Sequence, residues 1–120
     1  MLPRAFRLHR AADFTEVVRR GRRASRPLLT VHALLAADGG GVPAEPPRAG
    51  LVVSKAVGSS VVRHRTSRRL RHLLQPRLAA LPAGVRVVVR AAPVAAAAPS
   101  SALAGDLDDA LGAALRPRRR

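Results

Sequence analysis

The 120-residue chain contains no cysteine. Disulfides, thiolate metal ligands and cysteine nucleophiles are therefore excluded, and a reducing compartment such as the cytoplasm is favoured. No apolar run approaches the about 20 residues that a membrane-spanning helix needs. No apolar segment follows the basic N-terminus as it would in a signal peptide. The length fits one domain, so we expect a single cytoplasmic domain, residues 1–120, that does not span a membrane.

Aromatic and acidic residues are also scarce. Phe6 and Phe14 are the only aromatic residues, so stacking of nucleobases on aromatic side chains cannot be the main mode of binding. The chain has 22 lysines and arginines against 7 acidic residues, which gives a net charge of +15. Because 48% of the residues are apolar, a small core can form. This composition indicates a folded protein with a polyanionic partner.

Apolar spacing predicts the element order α–β–β–α–β–α, which is an α+β sandwich of one sheet with helices packed on it. The first helix is expected to have Asp13 as its N-cap, with Glu16 in the capping-box position, and to end before Gly21. The strands are predicted at 28–36, with a possible separate piece at 23–25, at 48–57 and at 85–91.

Two further helices are predicted. The longer one runs from Ser60 to Leu81, and the last one is capped by Ser100 or Ser101. The last helix carries a stripe of leucines spaced by four, namely Leu103, Leu107, Leu111 and Leu115. The remaining segments are expected to be irregular: a basic arm at 1–12, a Gly/Pro loop at 38–47, an Ala-rich linker at 93–99 and a basic tail at 116–120.

The densest positive charge lies in the helix predicted at 60–81. Its apolar side chains share one arc of the helical wheel and most of its arginines share the rest, while Arg63 lies in the first turn and can point off the helix end. No acidic residue separates these arginines, so a phosphate backbone is a better counterpart than solvent, although a solvated basic face is the alternative. The arginines alone do not choose among DNA, RNA and an acidic membrane. They are Arg63, Arg65, Arg68, Arg69 and Arg71.

Residues for catalysis by the protein itself are few. His64 and His72 lie in the arginine-rich helix without an acidic neighbour, which argues against a zinc site. Asp106, Asp108 and Asp109 are expected on solvated faces of the last helix. No paired carboxylates, Ser–His–Asp set or activated nucleophile emerges. The residues therefore predict a binding protein without a catalytic or metal-ligating side chain of its own.

Three segments resemble the bacterial ribonuclease P protein subunit, in the style of its Arg- and Ala-rich actinobacterial members. The strand and turn read RAGLVVSKAVG at 48–58, and the helix that follows reads VVRHRTSRRLRHLL at 61–74. The N-terminal segment reads RLHRAADFTEVVRRG at 7–21. The strand VRVVVRA at 85–91 and the final Leu-spaced helix also follow in the family's order. Each motif alone is weak, but the resemblance as a whole covers nearly the whole chain.

The resemblance implies an α-β-β-β-α-β-α sandwich with a left-handed βαβ crossover that places the arginine helix. It also implies that the chain binds the catalytic RNA of ribonuclease P and the 5′ leader of precursor tRNA. The RNA would cleave the leader with Mg²⁺ that the RNA itself binds. The protein would be a monomer in a 1:1 complex with the RNA and would have no membrane partner.

Carried onto this chain, the resemblance implies two sets of binding residues. Val18 and His32 stand where the family often has aromatics, His64 stands where it usually has Asn, and Ser67 stands where Lys is common. The set for the catalytic RNA is Arg63, His64, Arg65, Arg68, Arg69, Arg71, Ser54 and Lys55. The set for the leader is Phe14, Val18, His32 and Arg90.

Two other functions remain open from the residues alone. One is another basic, non-catalytic RNA- or DNA-binding module, such as a ribosome-associated protein. The other is a self-sufficient nuclease, against which the small number of carboxylates argues.

Overall fold

Seven helices and strands follow one another in the order α-β-β-β-α-β-α. The structure is a computed structural model that describes residues 6–8, 10–40 and 45–116. The first strand region is split into two strands, so the order implied by the family resemblance is confirmed. The elements are α1 (Ala11–Arg20), β1 (Arg22–Ser25), β2 (Leu29–Leu34), β3 (Arg48–Val52), α2 (Ser60–Leu78), β4 (Arg86–Ala91) and α3 (Ser100–Leu115).

The strands form one mixed sheet in the order β1-β2-β4-β3. β4 pairs antiparallel with β2 and parallel with β3, with Val88 opposite His32 on one side and opposite Gly50 on the other. Parallel neighbours need a crossover connection, and α2 supplies it between β3 and β4. The βαβ unit of the prediction is thus confirmed, and its left-handed sense stays a prediction.

The apolar side chains of β4 divide the core between the two faces of the sheet, because successive side chains of a strand point to opposite faces. Val87 and Val89 are fully buried in the main core with α2 and α3. Val88 is fully buried in a smaller core with Val17 of α1. The leucine stripe of α3 is buried as predicted at its first three positions, and Leu115 is half-buried.

Two predicted helix starts are wrong. Asp13 does not cap α1, because the helix begins at Ala11 after Arg10 and places Asp13 in its first turn. There the carboxylate lies 3.5 Å from the guanidinium of Arg86 on β4. Neither serine caps α3, because Pro99 occupies the cap position and Ser100 is the first helical residue. In both cases the helix begins earlier than local capping preferences predict.

Two other predicted boundaries and one predicted linker are also corrected. The strand predicted at 48–57 ends at Val52, and a 3₁₀ turn at Lys55–Val57 follows it. The helix predicted to reach Leu81 ends at Leu78. Leu81 precedes Pro82, and a proline disfavours helical backbone at the residue before it. The Ala-rich linker contains a 3₁₀ turn, Pro93–Ala97, whose Ala95 is fully buried.

The predicted irregular segments are only partly described. Residues 6–8 of the basic arm belong to the folded domain, since Arg7 bridges to Ala49 of β3 and Leu8 is buried. Residues 1–5 and 9 of the arm, 41–44 of the loop and 117–120 of the tail lie outside the described residues.

Gly105 and Gly50 are expected to respond in opposite ways to alanine. A Cβ at Gly105 of α3 meets no atom within 4 Å, whereas one at Gly50 of β3 would lie 2.3 Å from the ring of Phe14. Gly105→Ala should raise the free energy of unfolding by about 1 kcal/mol, because alanine is the better helix former. Gly50→Ala should lower it, because the ring must move. Urea denaturation of both variants measures this, and equal shifts would contradict the packing described.

Candidate nucleic-acid interface

The arginine-rich face of α2 points away from the core. Ser59 caps the helix by accepting a hydrogen bond from the Val62 amide at 3.4 Å. Four residues spaced by four, Thr66, Leu70, Leu74 and Leu78, are buried against the sheet. This register leaves Arg65 and Arg68 exposed on the outer face, as the helical wheel predicts.

No acidic side chain of the described residues pairs with the arginines of α2 between positions 63 and 71. The sequence has no Asp or Glu from 46 to 105. Five carboxylates have partners elsewhere in the fold. Asp13 and Glu16 contact Arg86, Asp38 contacts Arg22, Asp108 contacts Arg77, and Asp106 accepts the Leu28 amide. The arginines of α2 between positions 63 and 71, unlike Arg77 near the end of the helix, therefore keep their charge available for an external anion.

Part of this face forms a polar cavity, which we call the arginine pocket. It has a volume of about 210 Å³ and is lined by Val53, Ser60, Arg63, His64, Ser67 and Arg71. Arg63 points into it from the first turn of α2, where the sequence places it. Ser54 and Lys55, the other residues of the first predicted set, are exposed in the segment between β3 and α2.

Arg69 differs from the other arginines of the predicted set. Its guanidinium donates hydrogen bonds to the carbonyl oxygens of Ala96 and Ala98 and, at 3.4 Å, to the hydroxyl of Ser100. These contacts join α2 to the 3₁₀ turn and to the start of α3. Arg69 thus supports the fold in this structure, and its predicted contact with RNA stays a prediction.

Three of the four residues predicted for the leader line one shallow groove. Phe14 and Val18 of α1 form one wall, Arg90 of β4 lies across from them, and Val52 of β3 contributes apolar surface. We call this site, which has a volume of about 440 Å³ and also contacts Thr15 and Arg19, the apolar groove. The ring of Phe14 rests on the backbone of Gly50, where a side chain would collide with it. The groove therefore combines an apolar floor with two arginines that have no carboxylate partner among the described residues.

His32 does not line this groove, and its predicted contact with the leader stays a prediction. It lies on β2 beneath the surface and is only 4% exposed. Both of its ring nitrogens are buried without a hydrogen-bond partner among the described residues. Burial lowers the pKa of the imidazole, and the neighbouring charges of Arg90 and Arg23 lower it further. His32 is therefore a neutral core residue here, since β2 is an inner strand covered on both faces.

A third cavity, the junction pocket, joins the two sites, and sequence reasoning missed it. It shares Ser67 and Arg71 with the arginine pocket and Phe14 with the apolar groove. Arg7 adds a further cation to it. Gly50 is the sequence signal that could have indicated it, because a glycine inside a strand marks a close approach of another group. Arg7, Arg19 and Val52 carried no comparable signal. Only the fold brings Arg7 to the junction pocket and places Val52 of β3 beside Arg19 of α1 at the apolar groove.

Metal-ligating groups do not converge at this surface. In the part of the chain that the structure describes, no three His, Cys, Asp or Glu side chains lie close enough to hold a metal ion. In the same residues, no helix is both long and apolar enough to cross a membrane.

The fold and this surface define a small, basic α+β domain that presents arginines and an apolar groove to a polyanion. The chain belongs to the ribonuclease P protein family, whose model, described as Ribonuclease P, matches residues 2–115. It is 56% identical over 114 residues to the ribonuclease P protein component of Streptomyces avermitilis, covering 92% of this chain and 93% of that protein. It is 50% identical over 120 residues to the one of Thermobifida fusca, covering 98% of this chain and 82% of that protein. The family resemblance predicted from the sequence is confirmed.

Solved structures of the family share the fold at low sequence identity. The ribonuclease P protein of Staphylococcus aureus matches with a TM-score of 0.77 at 21% identity, covering 92% of this chain and 95% of that chain. The one of Thermotoga maritima matches with a TM-score of 0.72 at 19% identity, covering 94% and 98%. The predicted α+β fold class is therefore confirmed.

Arg69→Ala should destabilise the fold more than Arg68→Ala. Loss of Arg69 leaves the carbonyls of Ala96 and Ala98 without their donor and should cost about 1–2 kcal/mol of unfolding free energy. Loss of the exposed Arg68 should change stability by less than about 0.5 kcal/mol. Thermal and urea unfolding of the two variants measures the difference, and equal stability of both would contradict the role given to Arg69.

His32 should make the stability depend on pH below neutrality. Its pKa is lowered in the folded state, so the unfolded state binds the proton more readily as the pH falls through about 6.5. Stability from this group is present above that pH and is lost as the pH falls from there toward the folded-state pKa. His32→Leu should reduce this loss between pH 7.5 and 5.5 and should raise stability by about 1 kcal/mol at neutral pH. Denaturation at both pH values tests this, and an unchanged pH dependence in the variant would refute it.

Proposed function

We propose that this chain is the protein subunit of ribonuclease P, which assists removal of the 5′ leader during tRNA maturation. One observation carries the proposal: the arginine pocket, the junction pocket and the apolar groove adjoin through Ser67, Arg71 and Phe14. A structured RNA held on α2 would thus lie next to a single strand in the groove. The family of the chain supports this assignment.

The two parts of the surface suit two kinds of RNA contact. Exposed guanidinium groups bind phosphate oxygens with paired donors and suit the backbone of a structured catalytic RNA. The apolar groove, with Arg19 and Arg90 beside it, suits a single-stranded leader whose unpaired bases cover Phe14, Val18 and Val52. Only one aromatic ring is offered, so phosphate contacts carry more of the leader binding than stacking does.

In this proposal the RNA carries the chemistry and binds the Mg²⁺ that the reaction uses. The protein contributes cations that reduce the repulsion between two RNA chains, which lowers the Mg²⁺ concentration needed for cleavage. We further propose a 1:1 complex of a protein monomer with the RNA, acting in the cytoplasm. No protein side chain is assigned a catalytic role.

Reconstitution with the catalytic RNA and a precursor tRNA tests this function. Added protein should permit cleavage at a low Mg²⁺ concentration at which the RNA alone is inactive. Absence of stimulation would contradict the proposal and would favour another basic RNA- or DNA-binding role. Cleavage by the protein without the RNA would instead identify a nuclease in its own right.

The α2 face can be tested with Arg65→Ala/Arg68→Ala. Loss of two phosphate contacts should weaken binding to the catalytic RNA about tenfold at moderate salt and reduce the slope of log affinity against log salt by about 2. The charge-matched control is Arg23→Ala/Arg26→Ala, at the opposite edge of the sheet on and beside β1. Filter binding over a salt series measures both variants. Equal effects would show that only net charge matters and would contradict an interface on α2.

A further inference from the structure

We propose that Arg86 is a positioning residue for the apolar groove, acting through Glu16 and Asp13 to hold α1 in place. This inference rests on the proposed function, because it assumes that the groove takes the leader strand. Arg86 lies outside the groove. Its effect is on the helix that forms one wall of the groove.

The contact joins the first residue of β4 to the first two turns of α1. One guanidinium nitrogen of Arg86, Nη1, lies 3.1 Å from Glu16 Oε1 and 3.5 Å from Asp13 Oδ1. The Arg86 side chain is 24% exposed, and those of Glu16 and Asp13 are 37% and 28% exposed. Glu16 also pairs with Arg20 at 3.3 Å. Partial burial and a shared cation make this contact stronger than an isolated surface ion pair.

β4 presents three residues to α1, because alternate side chains of a strand share one face. Val88 packs in the small core, and Arg90 lies in the apolar groove. Arg86 stands at the other end of the same row, about 13 Å from Arg90 along the strand. Two arginines on one strand face thus have different environments. Arg86 contacts two carboxylates, whereas Arg90 contacts no carboxylate of the described residues.

α1 divides its side chains in the same way. Residues three and four apart share a helix face, which groups Asp13, Glu16 and Arg20 on one side. Phe14 and Val18 form another row, and that row lines the groove. Any rotation or shift of α1 allowed by loss of the Arg86 contacts therefore moves the groove wall.

The apolar core beneath α1 is smaller than the main core. The core cluster beneath it contains four buried residues, Leu8, Val17, Leu34 and Val88, whereas the main core contains seventeen. Arg86 also neutralises two carboxylates that lie beside Phe14 in sequence. Without it, Asp13 and Glu16 would repel the phosphates of a strand in the groove.

Arg86→Met tests the inference in the reconstituted holoenzyme. The readout compares two substrates, a precursor tRNA with a full leader and one with the leader shortened to a single nucleotide. The ratio of their affinities reports the contribution of the leader. Arg86→Met should reduce this ratio about tenfold, with little change in affinity for the short-leader substrate or for the catalytic RNA.

The matched control is Arg77→Met. Arg77 pairs with Asp108 of α3 at 2.6 Å, and its side chain is 25% exposed, so the variant loses a similar cross-element ion pair away from the groove. Arg77→Met should keep the full leader ratio. Arg86→Lys, which retains a cation for the two carboxylates, should restore most of the ratio lost in Arg86→Met.

Each other outcome counts against the inference. An unchanged ratio in Arg86→Met, or an equal loss in Arg77→Met, would overturn it. If Arg86→Met does not fold, Arg86→Gln keeps a donor without the charge, and a ratio equal to that of the wild type would overturn the inference in the same way. A wild-type holoenzyme whose affinity does not depend on the leader would refute leader binding in the proposed function, and the role of Arg86 would fail with it.

Discussion

The insertion of β4 between β2 and β3 is the constraint on which the rest of the structure depends. The strand is paired on both sides and covered on both faces, and its central valines are fully buried. Its parallel pairing with β3 obliges the chain to cross over through α2, which places the arginine-rich helix beside β3. Its antiparallel pairing with β2 brings Arg90 and Arg86 under α1. Both parts of the candidate interface therefore follow from the position of one strand.

Charge segregation follows from the same arrangement. The carboxylates occur on α1, between β2 and β3, and on α3. Five of the seven meet an arginine or a backbone amide: Asp13, Glu16, Asp38, Asp106 and Asp108. The long acid-free stretch from 46 to 105 includes β3, α2 and β4. The fold thus uses its few acidic residues for internal contacts and leaves the α2 surface cationic. The arginines of α2 between positions 63 and 71 are therefore the part of this protein of net charge +15 where a polyanion is expected to bind.

Identical residues acquire different roles through their tertiary surroundings. Arg65 and Arg68 are exposed, Arg69 joins α2 to the start of α3, and Arg71 lies in two adjoining cavities. The helical wheel places all four arginines outside the apolar arc. It cannot distinguish their roles, because it contains no information about neighbouring elements. The 3₁₀ turn at Pro93–Ala97, which reads as a linker in sequence, supplies the carbonyls that distinguish Arg69.

The sequence by itself determined the family, the order of elements, the buried stripes of α2 and α3 and the outward face of α2, because these depend on local periodicity and on contiguous motifs. It also brought Phe14, Val18 and Arg90 together through the resemblance to a known family. Only the tertiary structure decided that His32 is buried, that Asp13 meets Arg86 instead of capping α1, and that Ser67 and Arg71 connect two cavities. These features depend on which strands are neighbours. Strand order is set by packing across the whole chain, so no local pattern encodes it.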